Sequence, residues 1–199
     1  MKKYELTTEA KINIFGKKLF RIKALVSFGF IIAGEKGGWI EKEENLSQSG
    51  NAWVYDDAEV YGNAEVYGNA KVFGNAEVYE DAEVYDKAKV YDKAWIFGNA
   101  KVYDDAWIFG NAKVSNYAEI CGNAEICGNT DYTTIHGFGT QFRTTTFFRC
   151  KDKQIRVSCG CFFGTISEFR EQVKNTRKGK IAEEYLMIAD LMEKHFKEE

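Results

Sequence analysis

The sequence predicts a mostly β fold, a parallel β-solenoid of triangular coils with a smaller part on each side. Three observations predict it. Residues 52–129 repeat in steps of six through thirteen hexads without an insertion, beginning AWVYDD, AEVYGN, AEVYGN. The first position of every hexad is Ala and the third is Val or Ile. The last two positions are mostly turn residues, Gly-Asn, Asp-Asp or Asp-Lys.

Each element of the coil follows from these. Side chains of a strand alternate faces with period two, so Ala and Val/Ile share one side and the aromatic fourth position lies on the other. A helix would scatter six positions over about 600° and give no apolar stripe. Gly and Asn tolerate positive φ, which a sharp corner needs. The unit is a four-residue strand plus a corner. Three units close a triangle, and coils stack about 4.8 Å apart by parallel pairing. Thirteen hexads make just over four coils, a prism about 20 Å long. Thirteen inward Val/Ile side chains at about 1.5–3 kcal/mol each form a useful core, opposed by chain entropy.

In the frame Val60-Tyr61-Gly62-Asn63-Ala64-Glu65 the hexads resemble the left-handed parallel β-helix of hexapeptide-repeat proteins. That family's pattern is aliphatic, small or acidic, two free positions, small, free. The aliphatic and small positions fit; the second departs, with Tyr or Phe in place of a small or acidic residue. The left hand is implied by the resemblance, since ordinary crossovers favour the other. The lead-in Gly37-Gly38-Trp39-Ile40-Glu41, Asn45-Leu46-Ser47-Gln48 and Gly50-Asn51-Ala52-Trp53-Val54 is similar to hexapeptide-repeat proteins of bacterial and bacteriophage type.

The flanks read as two further parts. Residues 1–51 are expected to be an N-terminal β cap and lead-in, because an open solenoid end exposes unpaired edges. Lys11–Phe15 and Leu19–Phe28 read as strands around Gly16-Lys17-Lys18, followed by Phe30–Ala33. Residues 130–199 read as a small α+β domain, a β-hairpin plus two helices. Tyr132–His136, Thr144–Arg149 and Gln154–Ser158 are its strands, and Gly160 and Gly164 bracket a loop. Thr165-Ile166-Ser167-Glu168 is a capping box opening a helix that Gly179 ends. A second helix, about Ile181 to Lys197, buries Ile181, Tyr185, Ile188, Ala189, Met192 and Phe196. Thr146-Phe147-Phe148-Arg149 and Cys159-Gly160-Cys161-Phe162 also resemble a C-terminal segment of phage-type proteins.

Composition narrows the classes. Hydrophobic content of 45% and charged content of 29% are ordinary for a globular domain, and the absence of proline suits an uninterrupted ladder. The start MKKYELTTEA has no long apolar run, so the expectation is a cytoplasmic protein (host cytoplasm for a phage-encoded one) with no membrane span. Five cysteines then suggest reduced thiols. The solenoid carries fourteen acidic and six basic residues, which argues against duplex nucleic acid along its sides.

Every third hexad shares a side. One side stacks Trp53, Lys71, Lys89, Trp107 and Glu125, with Tyr55, Phe73, Tyr91 and Phe109 beside them. A second stacks Glu59, Glu77, Trp95 and Lys113; the third stacks Glu65, Glu83, Lys101 and Glu119. The outward rings either support one another along the prism or mark an association surface. The candidate surface is Trp53, Tyr55, Phe73, Tyr91, Trp107 and Phe109, with Trp95. The leading expectation is a non-catalytic binding or scaffold protein, a dimeric or trimeric homo-oligomer with no cofactor and a protein or nucleotide ligand.

Two other classes compete. Acyl transfer from coenzyme A is what the resemblance implies for enzymes of this fold, with a His general base, a cleft between subunits and coil-breaking loops. Both His residues lie outside the coils, and His136 is the candidate base, with His195 on the last helix. The other class uses a basic window, Arg143 to Lys180, where ten Lys/Arg face three acidic residues. Arg143, Arg149, Lys151, Lys153 and Arg156, with nearby Phe side chains, form a candidate site for a nucleotide or RNA end, as in a protein that sequesters a nucleotide signal of host defence. The bland alternative is a solvated face partnering the acidic prism. Cys150, Cys159 and Cys161 are a candidate zinc set with a His, on the weak signal of C-x-C alone.

Overall fold

The coordinates, a computed structural model, describe residues 1–197. The chain opens with β1 (Tyr4–Ile12), β2 (Lys18–Ala24) and β3 (Lys36–Ile40). Each hexad then adds one strand, from β4 (Trp53–Val54) to β16 (Glu125–Ile126). After the prism come β17 (Tyr132–Phe138), β18 (Arg143–Arg149), β19 (Ile155–Cys159), β20 (Phe162–Thr165), α1 (Ile166–Thr176) and α2 (Gly179–His195).

The coil strands pair in parallel with partners eighteen residues away, as a three-hexad coil requires. Trp53 registers with Lys71, Lys71 with Lys89, Lys89 with Trp107 and Trp107 with Glu125. The other sides run Glu59–Glu77–Trp95–Lys113 and Glu65–Glu83–Lys101–Glu119. Every hexad Ala and Val/Ile is 0% exposed, so the interior is a column of alternating tiny and branched side chains. The strands are shorter than the four residues the sequence suggested. Only the second and third positions are in the ladder, because the corner begins at once. The fifth position of every hexad but the last takes positive φ, at Asp92 (59°) and Gly110 (64°) for example.

Coiling starts earlier than the repeat. Trp39 and Ile40 pair in parallel with Glu59 and Val60, and Leu46 bridges to Val66, so the lead-in is already a coil. Those partners are twenty residues apart, whereas Val54 and Val72 are eighteen apart; two extra residues therefore lie between Leu46 and Val54. β1 and β2 continue that side antiparallel, making a seven-stranded sheet. The first strand begins at Tyr4, not at Lys11, and Phe30–Ala33 is no strand; a Phe28–Ile31 bridge closes a turn there. The hydroxyl of Tyr4 donates to the Leu46 carbonyl at 2.6 Å, locking the cap to the first coil.

The C-terminal part has four antiparallel strands in the order β17-β18-β19-β20, where a hairpin and a loop were expected. Gly160-Cys161 is a two-residue turn, which lets residues 162–165 pair back on β19. The capping box is present: Thr165 Oγ1 accepts from Glu168 N, and Thr165 N donates to Glu168 Oε2 at 2.7 Å. Gly179 opens α2 where it was expected to end α1. Alternation along β18 divides two cores. Phe148 and Cys150 join the prism interior, and Phe147 joins the helices through Phe169. The prism is closed at this end by an Ala124–Cys150 bridge and by Glu119 N donating to Thr146 Oγ1. Among the described residues no helix is long and apolar enough to cross a membrane.

Candidate functional site

The fourth-position rings form three ladders that follow directly from the register. Tyr61, Tyr79 and Phe97 stack with centroids 5.1 Å apart and planes within 2°. Tyr67, Tyr85 and Tyr103 stack at 4.8 and 4.9 Å. Phe73, Tyr91 and Phe109 stack at 4.9 and 5.0 Å, while Tyr55 meets Phe73 edge-on. The spacing is that of hydrogen-bonded strands, so ring support costs the backbone nothing. The cap extends one ladder by placing Phe15 against Tyr61 and Tyr79.

Carboxylates one coil on tie down the phenols. Tyr61 donates to Glu77 and Tyr67 to Glu83, both at 2.8 Å. Burial raises both phenols well above the ordinary tyrosine range. The two acceptors diverge. Burial pushes the Glu77 carboxyl up, helped by Glu59 in register beside it. The hydrogen bond from Lys101 pulls Glu83 down.

The tryptophans do not form a bare surface. Trp53 is 0% exposed, covered edge-on by Tyr4 and Phe28 of the cap, so it leaves the candidate association face. Residues 1–51 supply the cover, where the sequence led us to expect an open face. Lys89 and Lys151 lie over the Trp107 ring at 4.4 and 3.5 Å, and Lys113 lies over Trp95 at 4.1 Å. What remains of the side is a half-buried strip of Tyr55, Phe73, Tyr91 and Phe109.

His136 is exposed on β17, its Nδ1 3.0 Å from Thr144 Oγ1 and its ring 6.0 Å from Tyr117. Among the described residues no carboxylate orients it, the relation a general base of this kind uses. His195 ends α2, its ring against Phe196.

The cysteine set is not a site. Cys150 lies in the prism core, Cys159 accepts from Thr145 beside the helices, and Cys161 is exposed on the turn. Among the described residues no three His, Cys, Asp or Glu gather as metal ligands. Burial pushes the Cys150 thiol up to about 12 and Cys121 up to about 11, which keeps both protonated.

The five basic candidates also scatter. Arg149 pairs with Asp131 at 3.5 Å and donates to the Phe196 carbonyl; Arg156 pairs with Asp152 at 2.6 Å. Lys151 points onto Trp107, and Lys153 holds a turn at φ 60°. Arg143 alone faces a cleft of about 370 Å3. That cleft gathers the tip of the β17–β18 hairpin, the β19–β20 turn and the end of α1, bringing in Arg177, Gln141 and Gln172. These groups are neighbours only through the fold, and position in the basic window gave no signal that singled out Arg177.

No protein-family model matches the chain. Over 63 residues the chain is 41% identical to the uncharacterized acetyltransferase YdcK of Escherichia coli strain K12, a stretch covering 28% of this chain and 19% of that protein. The chain therefore spans 19% of the length of the curated relative it matches. With the stacked hexad coils, this likeness fits a hexapeptide-repeat β-helix.

Proposed function

We propose that this chain is a non-catalytic β-solenoid scaffold that associates with a second copy of itself through the Tyr55, Phe73, Tyr91 and Phe109 strip. The supporting observation is the unbroken run of hexad strands from β4 to β16, which leaves no loop to hold an acyl donor. A flat, rigid strip with rings half in solvent offers apolar contact at little entropic cost, since stacking has already ordered the side chains. Light scattering across a concentration series tests this. A dimer or trimer that Tyr91→Lys dissociates supports the reading, and a strict monomer at all concentrations defeats it.

The name of the relative favours a second reading, acetyl transfer from acetyl-coenzyme A with His136 as the base. Heat on titrating coenzyme A, and turnover abolished by His136→Ala, would support it. Silence in the calorimeter removes it.

A further inference from the structure

We infer that the cleft between the β17–β18 tip and α1 binds a small phosphorylated heteroaromatic of mononucleotide size, its phosphate held by Arg143 and Arg177. This does not rest on self-association of the prism.

The first argument is which arginines lack a partner. The C-terminal part carries five. Arg149 pairs with Asp131, Arg156 with Asp152, and Arg170 with Asp190 and Glu193. Arg143 and Arg177 line the cleft, and among the described residues neither has a carboxylate within ion-pair distance. Arg177 makes one long bond, 3.3 Å, to the Thr176 carbonyl. Two guanidiniums facing one concavity without an anion repel each other, and an external phosphate removes that repulsion while matching the guanidinium fork.

Backbone geometry makes the same place. Gly139 and Gly160 bracket the cleft at φ 72° and 62°. A Cβ on Gly160 would collide with the Arg143 guanidinium, and one on Gly139 would lie 2.5 Å from the Tyr185 hydroxyl. The missing methyl groups are what let Arg143 and Tyr185 occupy their positions. Tyr185 is itself fixed, donating to the Phe138 carbonyl at 3.2 Å. The end of α1, whose free carbonyls would oppose an anion, is partly satisfied, because Val173 O accepts from Arg177 N at 2.8 Å.

The remaining lining sets the ligand class. Half-buried Phe162 supplies the aromatic wall, backed at 5.5 Å by buried Phe169, and Gln141 and Gln172 offer amides at its rim. A wall for stacking, amides for an edge and a phosphate fork together describe a nucleotide. The volume, about 370 Å3, is at the small end of ligand pockets, suiting one nucleotide and not two.

Calorimetry of the full chain with AMP, GMP, CMP and UMP, the matching nucleosides and inorganic phosphate tests this. At least one nucleotide should bind, with its nucleoside and inorganic phosphate each weaker by about tenfold or more. Arg143→Gln and Arg177→Gln should each weaken it by about tenfold or more, while Arg156→Gln, outside the cleft, should not. Affinity of the unaltered protein should also fall as salt rises, a readout that needs no variant. Absence of binding at millimolar nucleotide overturns the inference. So does phosphate binding as tightly as the nucleotide, or affinity unmoved in both cleft variants.

Discussion

Asp92 stands at a prism corner with φ 59°, and its carboxylate accepts the backbone N–H of Gly110, one coil on, at 3.1 Å. The same relation joins Asp56 to Gly74, Glu80 to Gly98 and Asp104 to Gly122. An acidic residue in the left-handed region is strained, and here it satisfies a corner N–H that a turn would leave to water.

Asp92→Ala should therefore destabilise the fold by about 1–2 kcal/mol, through the lost bond and a Cβ that keeps the strain. Asp92→Gly loses the bond but relieves the strain, so it should cost less. Urea midpoints of the two variants check the order; an alanine variant as stable as the glycine variant contradicts it.

Trp53 holds the cap, yet its indole N–H is buried without an acceptor among the described residues. Trp53→Ala should cost about 3–5 kcal/mol by emptying the space between Tyr4 and Phe28. Trp53→Phe should stay within about 1 kcal/mol of the parent, because removing an unpaired donor offsets lost volume. Thermal unfolding of both proteins measures the difference.

Glu83 and Glu77 accept equivalent phenols but should respond to pH in opposite senses. The Glu83 carboxyl is lowered in the fold, so its contribution is present above the ordinary carboxylate range and is lost as pH falls through its folded value. Glu77 is raised, so the fold favours its protonated form and loses that advantage as pH rises through the folded value. The stability gap between parent and Glu83→Gln should widen from pH 3 to 7, about the range where carboxylates titrate. Over the same range Glu77→Gln should gain on the parent. Denaturant midpoints against pH decide; parallel curves would refute both.

The fully buried interior should accept neither smaller nor larger side chains without cost. Ile96→Ala should cost about 2–5 kcal/mol by leaving a cavity. Ala94→Leu, two residues earlier and equally buried, should cost about 1–3 kcal/mol or more by pressing on the coils either side. Chemical denaturation gives both values.

The prism was legible because a strict period writes register, interior and ring ladders into one hexad. The three sides follow from counting by eighteen, and rings at that spacing stack except where Tyr55 meets Phe73 edge-on. The cap was read less well. Trp53 carries the outward pattern of Trp107, but its cover comes from Tyr4 and Phe28, distant residues with no periodic mark. The first coil was absorbed into the lead-in because two extra residues after Leu46 break the count. β20 was missed because Gly164 looked like a loop; it packs tightly, with Glu168 Oε2 2.9 Å from where a Cβ would lie. The cleft escaped because its residues come from three separated segments. A charge window has no way to distinguish Arg156, already neutralised by Asp152, from Arg143.

Closure at both ends has a consequence for assembly. The hairpin of β1 and β2 extends one side at the first end, and at the other Thr146 accepts the Glu119 amide while Cys150 bridges to Ala124. Stacked parallel strands would otherwise template further molecules end to end, the route by which cross-β filaments grow. With β1 and β2 prolonging one sheet and Thr146 and Cys150 bound to the last coil, fewer open edges are left for growth along the axis, which suits the sideways association proposed above. Deleting either closing element should convert a protein of fixed length into one that polymerises.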